Sequence, residues 1–286
     1  MTGARVPERM GAPVFTFTLA PDAESRRVAE QAMAEGYGGA AVLAPEGAWG
    51  DRMTSAFVER WQEIGGTLVA EQRYDANDPD FATPVRTLLQ VESSELRAKD
   101  LRAIVRGYFA FQPNYRQDMD FIFMPAFPVE ARLLKPHLSY FAASRVPVLA
   151  TSHVYTGQPN AGEDLDLERI RFGDMPFILT PTSEESNRLD AIASTYGASP
   201  ADYGRLLAFG ADAFQLGMRV QALSVTPDAT YSGRSGQLSV EPGNKVRRGL
   251  TWATFVDGTP LVDGQTRPDP EEGPAATDMA AASAIQ

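Results

Sequence analysis

The chain has 286 residues, 43% of them hydrophobic and 22% charged, which supplies a core for one large domain or two smaller lobes. Its net charge of −11 argues against nucleic acid as the main partner, because a phosphate backbone calls for a basic surface. With no cysteine there is no disulfide, thiolate metal site or cysteine nucleophile, and no apolar run is long enough to span a bilayer.

Met1 to Gly11 carry Arg5, Glu8 and Arg9 without an apolar stretch, so no signal peptide or lipidation signal is read there. Val14 to Leu19 is β-branched and aromatic and reads as a strand. Asp22 then caps a helix whose apolar positions are Val28, Ala29, Ala32 and Met33, ended by Gly36, Gly38 and Gly39. The apolar run Ala40 to Ala44 reads as a strand buried on both faces. A loop holding Trp49 leads to a helix from Asp51, with Met53, Phe57, Trp61 and Ile64 as its inner stripe and Gly65-Gly66 after it.

The rhythm repeats with a strand at Thr67–Ala70 and a helix capped by Thr83, with Pro84 at its first position. Phe121–Phe123 is the next strand, followed by a helix through Leu133, Leu134, Leu138 and Phe141 that is kinked at Pro136. Val146–Ala150 is a further strand. This alternation predicts a parallel sheet wrapped by helices. After Pro181 come two successive helices, the second from Ser199-Pro200 with Asp202 at the capping-box position, running to Val220. Short strands follow at Gln237–Val240 and Leu250–Phe255, and from Gly264 the Pro-, Ala- and acid-rich sequence reads as a disordered tail.

Chemistry-bearing residues are few. His137 sits in a helical apolar pattern and reads as structural. His153, in Thr151-Ser152-His153-Val154-Tyr155, follows a strand directly, at the end of the sheet where open α/β folds bind ligands. Adjacent Ser152 and His153 do not make a triad, and there is no Gly-x-Ser-x-Gly elbow. Glu163, Asp164 and Asp166 lack calcium-loop spacing and read as a solvated acidic loop. Gly36, Gly38 and Gly39 precede a strand, whereas a phosphate loop must follow one. Trp49 and Phe127 occupy strand-to-helix loops, and an exposed ring there stacks on a ligand or packs under its own loop. The loops around Trp49, Phe127 and His153 converge on one sheet edge, which makes Trp49, Phe127, Ser152, His153 and Tyr155 the candidate ligand or partner cleft. No catalytic or metal-ligating set and no cofactor are read from the sequence.

The segments Asp118–Pro128 and Ala131–Pro136 resemble the LppC family of penicillin-binding protein activators. So do Val146–Tyr155, Ile170–Phe177, Val42–Pro45 and Trp49-Gly50, within a likeness that runs from about Val14 to Phe255. The resemblance implies an α/β fold of the type I periplasmic-binding-protein kind: two Rossmann-like lobes with parallel central sheets, joined by crossing strands. It also implies an outer-membrane lipoprotein facing the periplasm that stimulates a bifunctional peptidoglycan synthase without enzymatic activity. By similarity to solute-binding relatives of that fold, the loops of Trp49, Phe127 and Ser152-His153 are expected to line the interlobe cleft. The family's lipidated signal and helical-repeat N-terminal region are not read in this sequence, and the family often has cysteine where Gly173 stands. The first lobe is expected to be incomplete, built from 12–35 and 181–225, with 36–180 and 226–262 as the second lobe and 263–286 as the tail. Such a first lobe exposes apolar faces.

The leading functional expectation is a non-catalytic regulator contacting a class A penicillin-binding protein. The alternative is a periplasmic solute-binding protein for an amino acid or similar small molecule. An esterase using Ser152 and His153 ranks third, since nucleophile, base and oxyanion donors are not supplied together.

Overall fold

In the computed structural model, which describes residues 13–92, 94, 96, 97, 99, 115–141, 145–197 and 200–265, every residue of β1 (Gly39–Pro45) is buried. An unbroken small and apolar run can take that position because both of its faces are covered. β1 pairs in parallel with β2 (Thr67–Tyr74) on one side and β3 (Phe121–Phe123) on the other. β4 (Val148–Ala150) and β5 (Ile170–Asp174) extend the parallel set outward from β3. The next strands, β6 (Tyr231–Ser232), β7 (Gln237–Glu241) and β8 (Lys245–Gly249), form a separate antiparallel sheet. β9 (Thr251–Val256) returns to lie antiparallel to β5, and β10 (Thr259–Val262) closes that edge. The large sheet therefore reads β10-β9-β5-β4-β3-β1-β2.

Successive residues of β1 and β3 point to opposite faces. Ala40, Val42, Phe121 and Phe123 face α1 (Pro21–Ala34) and α2 (Ala48–Glu63), which bring Val28, Ala29, Ala32, Phe57 and Trp61. Phe57 stacks on Phe123 with centroids 4.3 Å apart, and burying an aromatic of this size stabilises by about 2–3 kcal/mol. Trp61 Nε1 donates to the Thr67 carbonyl at 3.0 Å, tying α2 to the start of β2. On the other face Leu43 and Ile122 meet α3 (Ala82–Leu88) and α4 (Pro128–Tyr140) through Val85, Leu88, Leu134 and Leu138. α4 runs on through Pro136, whose ring nitrogen has no hydrogen to give the helical ladder.

α5 (Pro176–Leu179), α6 (Ser183–Tyr196) and α7 (Pro200–Val225) follow β5. Thr182 and Glu185 form a capping box at the start of α6. The small sheet is held to α7 by Asp212, which accepts from Arg234 N at 2.9 Å, Ser235 N at 2.6 Å and Ser235 Oγ at 2.5 Å. Phe17 stacks on Phe209 of α7 at 4.4 Å.

Several expectations need correction. Asp22 is not a cap; α1 begins at Pro21 with no side-chain cap, and Asp22 pairs with Arg52. α2 begins at Ala48 rather than Asp51, because Gly47 at φ 94° turns the chain straight out of β1. Asp80, not Thr83, caps α3, accepting from Ala82 N and Thr83 N at 3.0 Å. Val14–Leu19 makes a single bridge, Thr16 to Lys245, instead of a strand. Asp164 is not solvated: it is buried and held by Arg132 at 2.7 Å. α1 packs on the large sheet, and β6–β8 make their own sheet while β9 and β10 join the large one. Ser199, the side chain of Asp202 and the tail from 266 onward lie outside the described residues.

Candidate functional site

The parallel strands run in the order β2-β1-β3-β4-β5. In this doubly wound order the direction of winding reverses between β1 and β3, leaving a crevice at their carboxyl ends where α/β proteins take ligands. Trp49 follows β1 and Phe127 follows β3, so they flank that crevice. Gly47 and Gly50 place Trp49 in the first turn of α2: a Cβ at Gly50 would overlap the Pro45 carbonyl oxygen. Phe127 is the N-cap residue of α4, with Pro128 opening the helix.

The two rings stack with centroids 4.6 Å apart. His153, in the short 3-10 turn Ser152–Val154 directly after β4, meets Trp49 edge-on at 5.4 Å and Phe127 at 5.9 Å. Three of the residues singled out from sequence are thus brought together, and Phe127 remains 43% exposed. Ser152 and Tyr155 are buried beneath them. Tyr155 instead packs on Phe172 and Phe255 in the core, where burial first, then Asp164 and Asp174, push its phenol up.

Below the rings lies a charged network that the sequence reading missed. Glu24 of α1, 7% exposed, accepts from Ser152 Oγ at 2.7 Å and Ser152 N at 3.2 Å, and pairs with Arg248 of β8 at 3.1 Å. Asp174 at the end of β5 is fully buried and takes two bonds from Arg205 of α7, at 3.0 and 2.6 Å. The same guanidinium donates to the Ser152 and Tyr155 carbonyls at 3.1 and 3.0 Å. Arg248 and Arg205 come from the small sheet and α7, so both clasp carboxylates of the large-sheet unit. One clue was in the sequence: Glu24 lies four residues before Val28, on the apolar face of α1.

Burial pushes the Glu24 carboxyl up, but Arg248, His153 and the Ser152 hydroxyl outweigh it and hold the group below its ordinary value. For Asp174 burial wins over Arg205 and the pKa is raised. Burial lowers His153, with Glu24 opposing in part, so the imidazole is neutral at pH 7. Its Nδ1 lies 3.0 Å from the Thr151 hydroxyl and 3.8 Å from Glu24, which is a polar contact rather than an ion pair while the ring is neutral. Ser152 offers no free nucleophile, since its hydroxyl is buried and committed to Glu24. Among the described residues no group of three or more His, Asp or Glu gathers for a metal ion, and no helix is long and apolar enough to cross a membrane.

Residues 6–258 match the family model described as "LppC putative lipoprotein". The chain belongs to the LppC family. Over 252 residues this LppC chain is 29% identical to the penicillin-binding protein activator LpoA of Photobacterium profundum, a match that spans 86% of the chain but only 40% of that relative. The LpoA C-domain of Haemophilus influenzae, a regulator of PBP1A, superposes with a TM-score of 0.61 at 23% identity, over 85% of this chain and 67% of that one. A solute-binding protein of an ABC transporter from R. palustris, solved with benzoate, superposes with a TM-score of 0.51 at 13% identity, over 86% and 63%. The fold class expected from the resemblance, α/β of the periplasmic-binding-protein kind with a mostly parallel central sheet, is therefore the one observed.

Proposed function

We propose that this LppC chain is a non-catalytic regulator of peptidoglycan synthesis, acting by contact with a class A penicillin-binding protein on the periplasmic side of the outer membrane. The observation that carries the reading is kinship with proteins named as activators of such a synthase. The geometry is consistent with it. The rings that flank the crevice, Trp49 and Phe127, stack on each other, and the exposed face of Phe127 is apolar surface of the kind that anchors protein contacts. A pull-down with the purified chain, alone and extended to the length of its relatives, should retain a class A penicillin-binding protein and raise its rate of glycan polymerisation. Phe127→Ala should weaken both. No retention by a chain shown to be folded would overturn the reading.

A second reading, capture of an amino acid or similar solute between the two sheets, is favoured by the position of Trp49 and Phe127 at the winding reversal and by the likeness to a solute-binding protein. A thermal-shift screen with amino acids and muropeptides separates the two: saturable stabilisation abolished by Trp49→Ala supports the solute reading alone.

A further inference from the structure

At the amino-terminal edge of the large sheet, opposite the aromatic stack, a cavity of about 210 Å³ is lined by Lys135, Arg145, Arg169, Arg171, Glu35 and Tyr37. Four cations face one carboxylate, in a chain whose net charge is −11. Arg171 is already matched, by Glu35 and Asp263. Lys135, Arg145 and Arg169 have no carboxylate within ion-pair distance among the described residues.

A basic cluster is most often a solvated surface, and Lys135 is what speaks against that here. It sits on α4 at 6% exposure, and its ammonium donates to the Ser139 hydroxyl at 3.1 Å, with no carboxylate within ion-pair distance among the described residues. A buried cation left in that state destabilises the fold unless something supplies the missing charge. Burial, and then the Arg169 guanidinium, hold its pKa below the ordinary lysine value, with Glu168 opposing in part. Arg169 itself lies at φ 65°, a left-handed conformation that arginine seldom adopts, one residue before β5. Backbone strain of this kind is kept where surrounding structure and function require it.

We propose that this cavity binds a small phosphoryl dianion, as free phosphate or as the monoester end of a larger molecule, held by Lys135, Arg145 and Arg169. Three unmatched cations exceed what one carboxylate balances. Two guanidinium forks and an ammonium suit the several acceptor oxygens of a phosphoryl group. The volume is below that of a pocket for a drug-sized molecule, about 300 Å³ and upward, and fits a tetrahedral anion with a short substituent. The site lies at the opposite end of the sheet from the proposed partner surface and does not depend on it.

Calorimetric titration of the full chain with inorganic phosphate and with glycerol 3-phosphate, at ionic strength held constant with chloride, tests this. Saturable binding is expected. Tighter binding of phosphate indicates the free anion, and tighter binding of glycerol 3-phosphate the monoester. Lys135→Met and Arg169→Gly should each weaken it by roughly tenfold or more, the effect of losing a charge-assisted hydrogen bond. Both variants should fold: methionine fills the lysine's volume without its buried charge, and glycine accepts φ 65° without strain. Absence of saturable heat up to about 10 mM of either anion, a limit corresponding to very weak binding, overturns the proposal. So does equal binding by the parent chain and both folded variants.

Discussion

Glu24 joins three parts of the molecule at one carboxylate: α1, the turn after β4, and β8. Its sign with respect to pH follows from its lowered pKa. The folded state holds the charged form more tightly than the unfolded chain does, so the contribution is present above the ordinary glutamate value and is lost as pH falls through the folded one. Glu24→Gln should therefore cost about 3 kcal/mol at pH 7, the usual penalty for leaving one member of a buried pair alone. The difference from the parent chain should shrink only as pH falls through the lowered folded value, beneath the ordinary glutamate range, where the glutamate is itself protonated. Urea melts of both proteins across that range check this, and a pH-independent difference would assign the loss to packing. Beyond the spacing of Glu24 to Val28 on the apolar face of α1, nothing in the sequence set Glu24 or Asp174 apart from the many surface carboxylates. A buried charge is recognisable only through its partner, and the partners Arg248 and Arg205 lie 224 and 31 residues away.

Elements with strong internal signals were legible. β1 and the Phe57–Trp61 stripe of α2 carry their burial in their own apolar spacing, and the strand-helix rhythm sufficed to place Trp49, Phe127 and His153 at one sheet edge. β8, with the sequence Lys-Val-Arg-Arg-Gly, has one apolar residue to mark it and is assigned no element from its sequence; it pairs with β7, Val240 opposite Val246. Boundaries failed where glycine overrode the local pattern. α2 begins three residues earlier than its apolar periodicity suggests because Gly50 lets the helix approach the Pro45 carbonyl. Gly50→Ala forces that contact open and should destabilise by about 1–3 kcal/mol, the range for overpacking a tight site. Tilting the first turn of α2 should also move the Trp49 ring off Phe127 and change its fluorescence. A stability and emission spectrum equal to those of the parent would show that α2 accommodates the methyl without moving.

On the scale of the whole molecule, the two sheets are unequally built. β1, β3 and β4 are buried along their full lengths, whereas in β7 and β8 only Leu238 and Arg248 are buried. The outer face of α7 leaves Leu206, Phe214 and Met218 between 56% and 72% exposed. Opening free energy follows the apolar surface that closing buries, so the unit made of α7 and the small sheet should open below the global unfolding free energy. Among the contacts that attach it to the rest are the Arg205–Asp174 and Arg248–Glu24 pairs, which hold geometry more than they add stability. Native-state hydrogen exchange in low urea should show β7 and β8 amides exchanging through sub-global opening, while those of β1 and β3 exchange only through complete unfolding. Arg205→Met should lower the protection of β7 and β8 further and leave β1 unchanged. If instead both sheets lose protection together in the parent chain, the two arginine clasps couple them into one cooperative unit, and the exposed face of α7 is supported from within rather than left open.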